Sequence, residues 1–194
     1  KSNDNGVVDW FRNYFNYTGY IILAIYISVI GLVMSDFTDN NIEMRRRISS
    51  RSFLRHNMEI YLGQLTIASV ITLMFIMGSI ILMGKYLIEV QFTKYVVNLL
   101  VFSIAALCLT FLVNNITRNK YAINAISAVL SLGTSFISGI IVPQEVLGEK
   151  VLMVAKFFPS YYFVKINDRT ISSLLDVKNE LLMQSVFAVA FLLI

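Results

Sequence analysis

The 194-residue sequence predicts an all-α protein: a polytopic transmembrane helical bundle of four complete spans and a truncated fifth, with an extracytoplasmic amphipathic helix pair. Three observations lead there. The composition is 57% hydrophobic and 14% charged with a mean hydropathy of +0.69, whereas soluble domains carry about a quarter charged residues. Residues 17–35, 61–84, 95–113 and 121–142 contain no Asp, Glu, Lys or Arg, and about 20 apolar residues suffice to cross a bilayer as a helix. Finally, five arginines crowd into a single segment between the first two runs.

Residues 1–16 precede the first span. Val7, Trp10, Phe11, Tyr14 and Phe15 recur there at helical spacing, and aromatic rings favour the bilayer interface, so this stretch reads as an interfacial lead-in. Residues 36–60 follow that span and hold Arg45, Arg46, Arg47, Arg51 and Arg55, the usual mark of a cytoplasmic loop. Alternation then puts Arg118 and Lys120 on the same side, against Lys85 and Lys94 on the other. The whole-chain count, nine opposite against seven, runs the other way, but it is carried by long segments, which weigh less in this rule.

After the fourth span, residues 143–180 contain both prolines, Pro143 and Pro159. An amphipathic helix is expected from Gln144 to Phe158, with Leu147, Val151, Val154 and Phe158 as its apolar face, and a second helical piece after Pro159. The neighbouring Phe157, Phe158, Tyr161, Tyr162 and Phe163 read chiefly as an interfacial anchor. Residues 181–194 are apolar but number 14, short of the roughly 17 a span needs, so a fifth span is expected to be cut there. The start at Lys1, without an initiator methionine, suggests a fragment at that end too.

Catalytic patterns are not found in the sequence. His56 is the lone histidine, no H-E-x-x-H or G-x-S-x-G occurs, and the Gly84 to Tyr86 triplet lacks the flanking residues of a phosphate-binding loop. ATP hydrolysis by this chain is therefore not expected. Cys108, the single cysteine, lies inside the third run and reads as a small packing residue. Basic residues grouped beside a span argue for topology rather than nucleic-acid binding. The four runs also lack the intramembrane carboxylate that ion-coupled carriers commonly use.

Two neutral patterns remain. Asn124, Ser127, Ser131, Thr134, Ser135 and Ser138 fall along one face of the fourth span, either as a helix-packing or dimer face or as the wall of a translocation path. From Asn41 to Asn57, apolar Ile42, Ile48, Phe53 and Leu54 alternate with arginines and serines. That segment is either a loop held by anionic lipid or a docking element for a cytoplasmic protein.

In order and spacing, three stretches resemble the membrane subunits of ABC exporters of the type 2 permease class, which includes bacterial drug, antimicrobial-peptide and polysaccharide exporters. They are "YFNYTGYIILAIYISVIGLVMSDF", "IEMRRRISSRSFLRHNMEIYLGQ" and "SFISGIIVPQEVLGEKVLMVAKFFPSYYF". The resemblance implies a six-span subunit, with the four complete runs as its helices two to five and residues 181–194 as the start of its sixth. It implies a second permease subunit, identical or not, and a separate ABC ATP-binding subunit that holds ATP and Mg, with no cofactor on this chain. The coupling contacts would be Glu43, Arg45, Arg47, Ser50 and Phe53, and an extracytoplasmic gate would involve Pro143, Val151, Phe158, Pro159 and Tyr162. The expected setting is a bacterial plasma membrane. The rival expectation is a non-transporting scaffold or sensor whose arginine loop recruits a partner.

Overall fold

The computed structural model describes residues 2–37, 53–84, 92–171 and 173–193, and every regular element among them is helical. The first is one continuous rod: α1 (Ser2–Ile25), a π-helical turn (Tyr26–Ile30) and α2 (Gly31–Phe37). Next come α3 (Phe53–Met83), α4 (Phe92–Ile116) and α5 (Lys120–Ser138). Two short helices follow, α6 (Glu149–Ala155) and α7 (Pro159–Asp168), then a 3-10 turn (Leu174–Val177) and α8 (Lys178–Leu193).

Four of these helices are long and apolar enough to cross a membrane: Gly6–Asp36, Met58–Leu82, Phe92–Ile116 and Lys120–Ser138. The chain is thus an all-helical membrane protein in its architecture. At 1.5 Å per residue the 31-residue α3 is about 46 Å long and overruns a hydrocarbon layer of about 30 Å. The 16-residue α8 reaches only about 24 Å.

α4 is the axis of the bundle. It packs against α1 and its π turn, α3, α7 and α8, and 61% of its apolar window is buried, against 17% for α3. Aromatic and aliphatic side chains fill this centre, among them Phe11, Phe15, Ile22, Tyr26, Tyr95, Leu99, Phe102 and Phe163. Cys108 packs with Ala105 and Ala188 where α4 meets α8, as a small residue between close helices would.

Residues 2–16 are helical and pack into the bundle. Phe11 and Phe15 are fully buried, and Phe15 stacks on Tyr95 with ring centroids 5.0 Å apart, while Phe11 meets Phe92 edge-on at 6.4 Å. Asp9 and Arg12 of this helix pair on its surface at 3.1 Å. Trp10 points outward, 73% exposed.

At the other end of the fourth run, helix stops at Ser138 rather than at Val142. Gly139 adopts φ 103°, the left-handed C-cap conformation, and its N–H and that of Ile140 both bond to Ser135 O. A Cβ on Gly139 would run into the Gln144 side chain. Gln144 then staples this corner, donating from Nε2 to Ser138 O (2.7 Å) and Tyr161 O (3.3 Å).

The amphipathic helix expected from Gln144 to Phe158 is only the seven residues Glu149–Ala155. Its expected apolar face is likewise not buried in the chain: Val151 and Val154 are exposed and Ala155 is the buried residue. Pro159 starts α7 at its first turn, where a missing N–H costs nothing. The aromatic cluster splits accordingly. Phe157 is exposed, but Tyr161 and Phe163 are buried, and Phe163 packs on Phe102 at 4.5 Å. Gly19 makes room for that ring, since a Cβ there would lie 2.5 Å from Phe163 Cε1.

Candidate functional site

A chain of buried amides joins four helices where α7 enters the bundle. Gln184 Nε2 on α8 donates to Asn98 Oδ1 on α4 at 2.8 Å. Asn98 Nδ2 donates to Asn167 Oδ1 and to Phe163 O of α7, each at 2.8 Å. Asn167 Nδ2 then donates to Asn16 Oδ1 on α1 at 2.8 Å, and Asn16 Nδ2 reaches Asp168 Oδ1 at 3.4 Å. All four amide side chains are buried, and Asn98 and Gln184 are fully so.

Charges finish both margins of this network. Lys94, 4% exposed on the first turn of α4, donates Nζ to Asn167 O (3.2 Å) and Arg169 O (2.7 Å). A cation at the C-terminal carbonyls of α7 meets the negative end of that helix dipole. Arg12 lies 3.7 Å from Asp168, while Glu180 takes Lys165 at 3.1 Å and Arg169 at 3.5 Å. Burial raises the Asp168 carboxyl above its ordinary value despite Arg12, Asn16 and Lys94. Burial also pushes Glu180 up, but the Lys165 hydrogen bond and the Lys165 and Arg169 charges outweigh it and hold that carboxyl below its ordinary value.

These contacts anchor α7 to the end of the bundle. It neither crosses the bundle nor lies loosely on it, and six polar side chains, Arg12 and Asn16 of α1, Lys94, Tyr95 and Asn98 of α4 and Glu180 of α8, fix its C-terminal half. Among the described residues, no group of three or more His, Cys, Asp or Glu is arranged to hold a metal ion.

No family model, curated protein or solved structure matches the chain. The residues themselves therefore carry the argument from here.

The sequence-predicted coupling residues Glu43, Arg45, Arg47 and Ser50 lie outside the described residues; Phe53 opens α3, but its side chain is outside the description. On α5, Ser127, Ser131, Thr134, Ser135 and Ser138 are buried within the chain, and Asn124 is exposed. Ser127 Oγ accepts from Ser28 Oγ at 2.8 Å and donates to Ala24 O at 3.0 Å, which ties α5 to α1 and its π turn. Thr134 and Ser135 donate back to Leu130 O (2.7 Å) and Ser131 O (2.6 Å) of their own helix. Ser138 Oγ is buried with no partner.

The five predicted gate positions differ in exposure. Pro143 and Val151 are exposed, Phe158 and Tyr162 are half-buried, and Pro159 is buried. The Tyr162 ring lies 6.0 Å from Phe187 of α8. The amide network itself, Asn16, Asn98, Asn167 and Gln184 with Lys94, was not among the sequence candidates. Its signal was present in part: Asn98 and Gln184 each stand in an otherwise apolar run, where a buried amide demands a partner.

Proposed function

We propose that the chain is the permease subunit of an ATP-driven ABC exporter of the type 2 class. Two permease subunits move an amphipathic or hydrophobic compound outward across a plasma membrane, on energy supplied by separate ATP-binding subunits. α8 belongs to the last span of the subunit, the arginine-rich segment faces the cytoplasm, and α6 and α7 lie at the outer end.

One observation carries this reading. Between α5 and α8 the chain does not cross as a span but folds two short helices back onto the bundle end, with α7 anchored by amides and ion pairs. Hydrogen bonds and ion pairs can be exchanged at modest cost, so such a plug can close an exit in one state and yield in another.

The test is reconstitution with a candidate ATPase. Arg45→Ala combined with Arg47→Ala is expected to lower substrate-stimulated ATP turnover about tenfold, the effect of removing about 1.4 kcal/mol of coupling. Unchanged assembly and unchanged turnover would refute the coupling assignment, and binding of a partner without substrate-stimulated turnover would favour the scaffold.

A further inference from the structure

The buried face of α3 is mostly polar. Among its described residues Gln64, Ala68, Thr72 and Ser79 are buried, and their spacing puts them along one side of the helix. Two tyrosines of the first rod reach across to this side. The Tyr14 hydroxyl donates to Phe75 O at 2.8 Å, and the Tyr26 hydroxyl donates to Ala68 O at 2.7 Å and stands 2.6 Å from Thr72 Oγ1. Thr72 in turn lies 3.2 Å from Ser103 Oγ of α4. One turn before Ala68 comes Gln64, 2% exposed, and both heteroatoms of its amide are buried with no partner.

These contacts differ in what they fix. Backbone carbonyls recur at every turn of a helix, so the bonds to Phe75 O and Ala68 O have equivalents one turn earlier, at Ile71 O and Gln64 O. The Thr72 hydroxyl, held between Tyr26 and Ser103, is what marks the present register. Burial restrains α3 little along its axis, since 17% of its apolar window is buried. At about 46 Å the helix also still covers a hydrocarbon layer of about 30 Å after moving one turn of about 5.4 Å.

We infer that α3 has a second register, shifted one turn toward its own C-terminal end, in which Gln64 occupies the place of Ala68 beside Tyr26. The shift exchanges the Thr72 hydroxyl for the Gln64 amide in one polar cluster, and so gives that amide a partner it lacks in the present register. Gly78 sets the balance. A Cβ there would lie 3.0 Å from the Tyr14 hydroxyl, and the shift puts Met74 in that place, so Tyr14 must yield by a few tenths of an ångström. This crowding favours the present register at rest.

Distances between spin labels test this on the full chain in lipid nanodiscs. Trp10→Cys and Leu62→Cys carry the labels at exposed positions, and Cys108 is buried. The two helices run antiparallel, Tyr14 meeting Phe75 and Tyr26 meeting Ala68, so the shift carries Leu62 toward Trp10. A second distance, about 5 Å shorter, is the mark of the shifted register. Thr72→Val is expected to raise its share about fivefold, the effect of one net hydrogen bond, and Ser103→Ala to act in the same direction. Gln64→Leu is expected to remove it from either background at an equal or higher melting temperature, because leucine leaves no buried amide unpaired. Absence of the shorter distance from both Thr72→Val and Ser103→Ala would overturn the inference. So would a shorter distance that survives Gln64→Leu, or a melting temperature that Gln64→Leu lowers, since Gln64 would then contribute to the present register. The readings need neither ATPase nor substrate, so the exporter reading can fail without touching them.

Discussion

Asn98 is the residue on which the plug turns. Its oxygen accepts from Gln184 and its amide nitrogen donates to both Asn167 and Phe163 O, so its hydrogen-bonding capacity is nearly spent inside an apolar helix. Asn98→Ala would leave Asn167 Oδ1, the Phe163 carbonyl and Gln184 Nε2 unpaired in a site without solvent. An unsatisfied buried group costs about 1–3 kcal/mol, although single interhelical bonds in membranes average about 0.6 kcal/mol because lost partners are partly replaced. A loss of about 2 kcal/mol is expected, read as a lowered melting temperature in detergent micelles. A melting temperature equal to the parent's would show that the amides contribute no net stability. Gln184 Oε1, Gln64 and Asn114 remain buried without partners, so the chain already carries some of this cost elsewhere.

At the scale of elements, the ionic margin of α7 and α8 makes stability depend on pH in two opposite directions. Glu180 has a folded-state pKa below its ordinary 4.5, so its contribution is present above that value and is lost as pH falls through the folded pKa. Asp168 is raised above its ordinary 3.8, so its contribution is present at low pH and is lost as pH rises through its folded pKa. Glu180→Gln is therefore expected to flatten the acid limb of a melting-temperature profile below about pH 5, with little sign of the Asp168 limb removed. An unchanged acid limb would place the acid sensitivity outside the Lys165, Arg169 and Glu180 set.

The same elements show what was legible beforehand. Runs without charge marked the long helices because an unpaired charge in hydrocarbon is costly whatever the fold, which is a local property of sequence. Ends were less legible. α1 extends back to Ser2, and its Arg12 meets Asp9 in its own helix and Asp168 some 150 residues away, of which only the first partner is visible locally. α5 stops early because Gly139 takes a left-handed cap that Gln144 holds in place. The π turn at Tyr26–Ile30 left no sequence mark either; the Tyr26 hydroxyl, bonded to Ala68 O at 2.7 Å and Thr72 Oγ1 at 2.6 Å, fixes the surrounding register. The amide site was the least legible part, since its members lie on four elements and follow no period.

For the whole molecule, α4 gathers the rest: α7 docks on its first turns and α8 packs along it. With α4 fixed, movement at one end has a continuous helix through which to bias the other, provided the two states differ in contact energy. The proposed orientation puts α6 outside and the Asn119-capped start of α5, where Lys120 pairs with Asp36, inside. Cys108 is buried, so single cysteines report position against a quiet background. Glu149→Cys, on exposed α6, is expected to react with a membrane-impermeant maleimide on intact cells. Tyr121→Cys, at a position 87% exposed, is expected to react only after permeabilisation. The reverse pattern would invert the bundle, put the arginine-rich segment outside, and remove the basis for an ATPase acting on it from the cytoplasm.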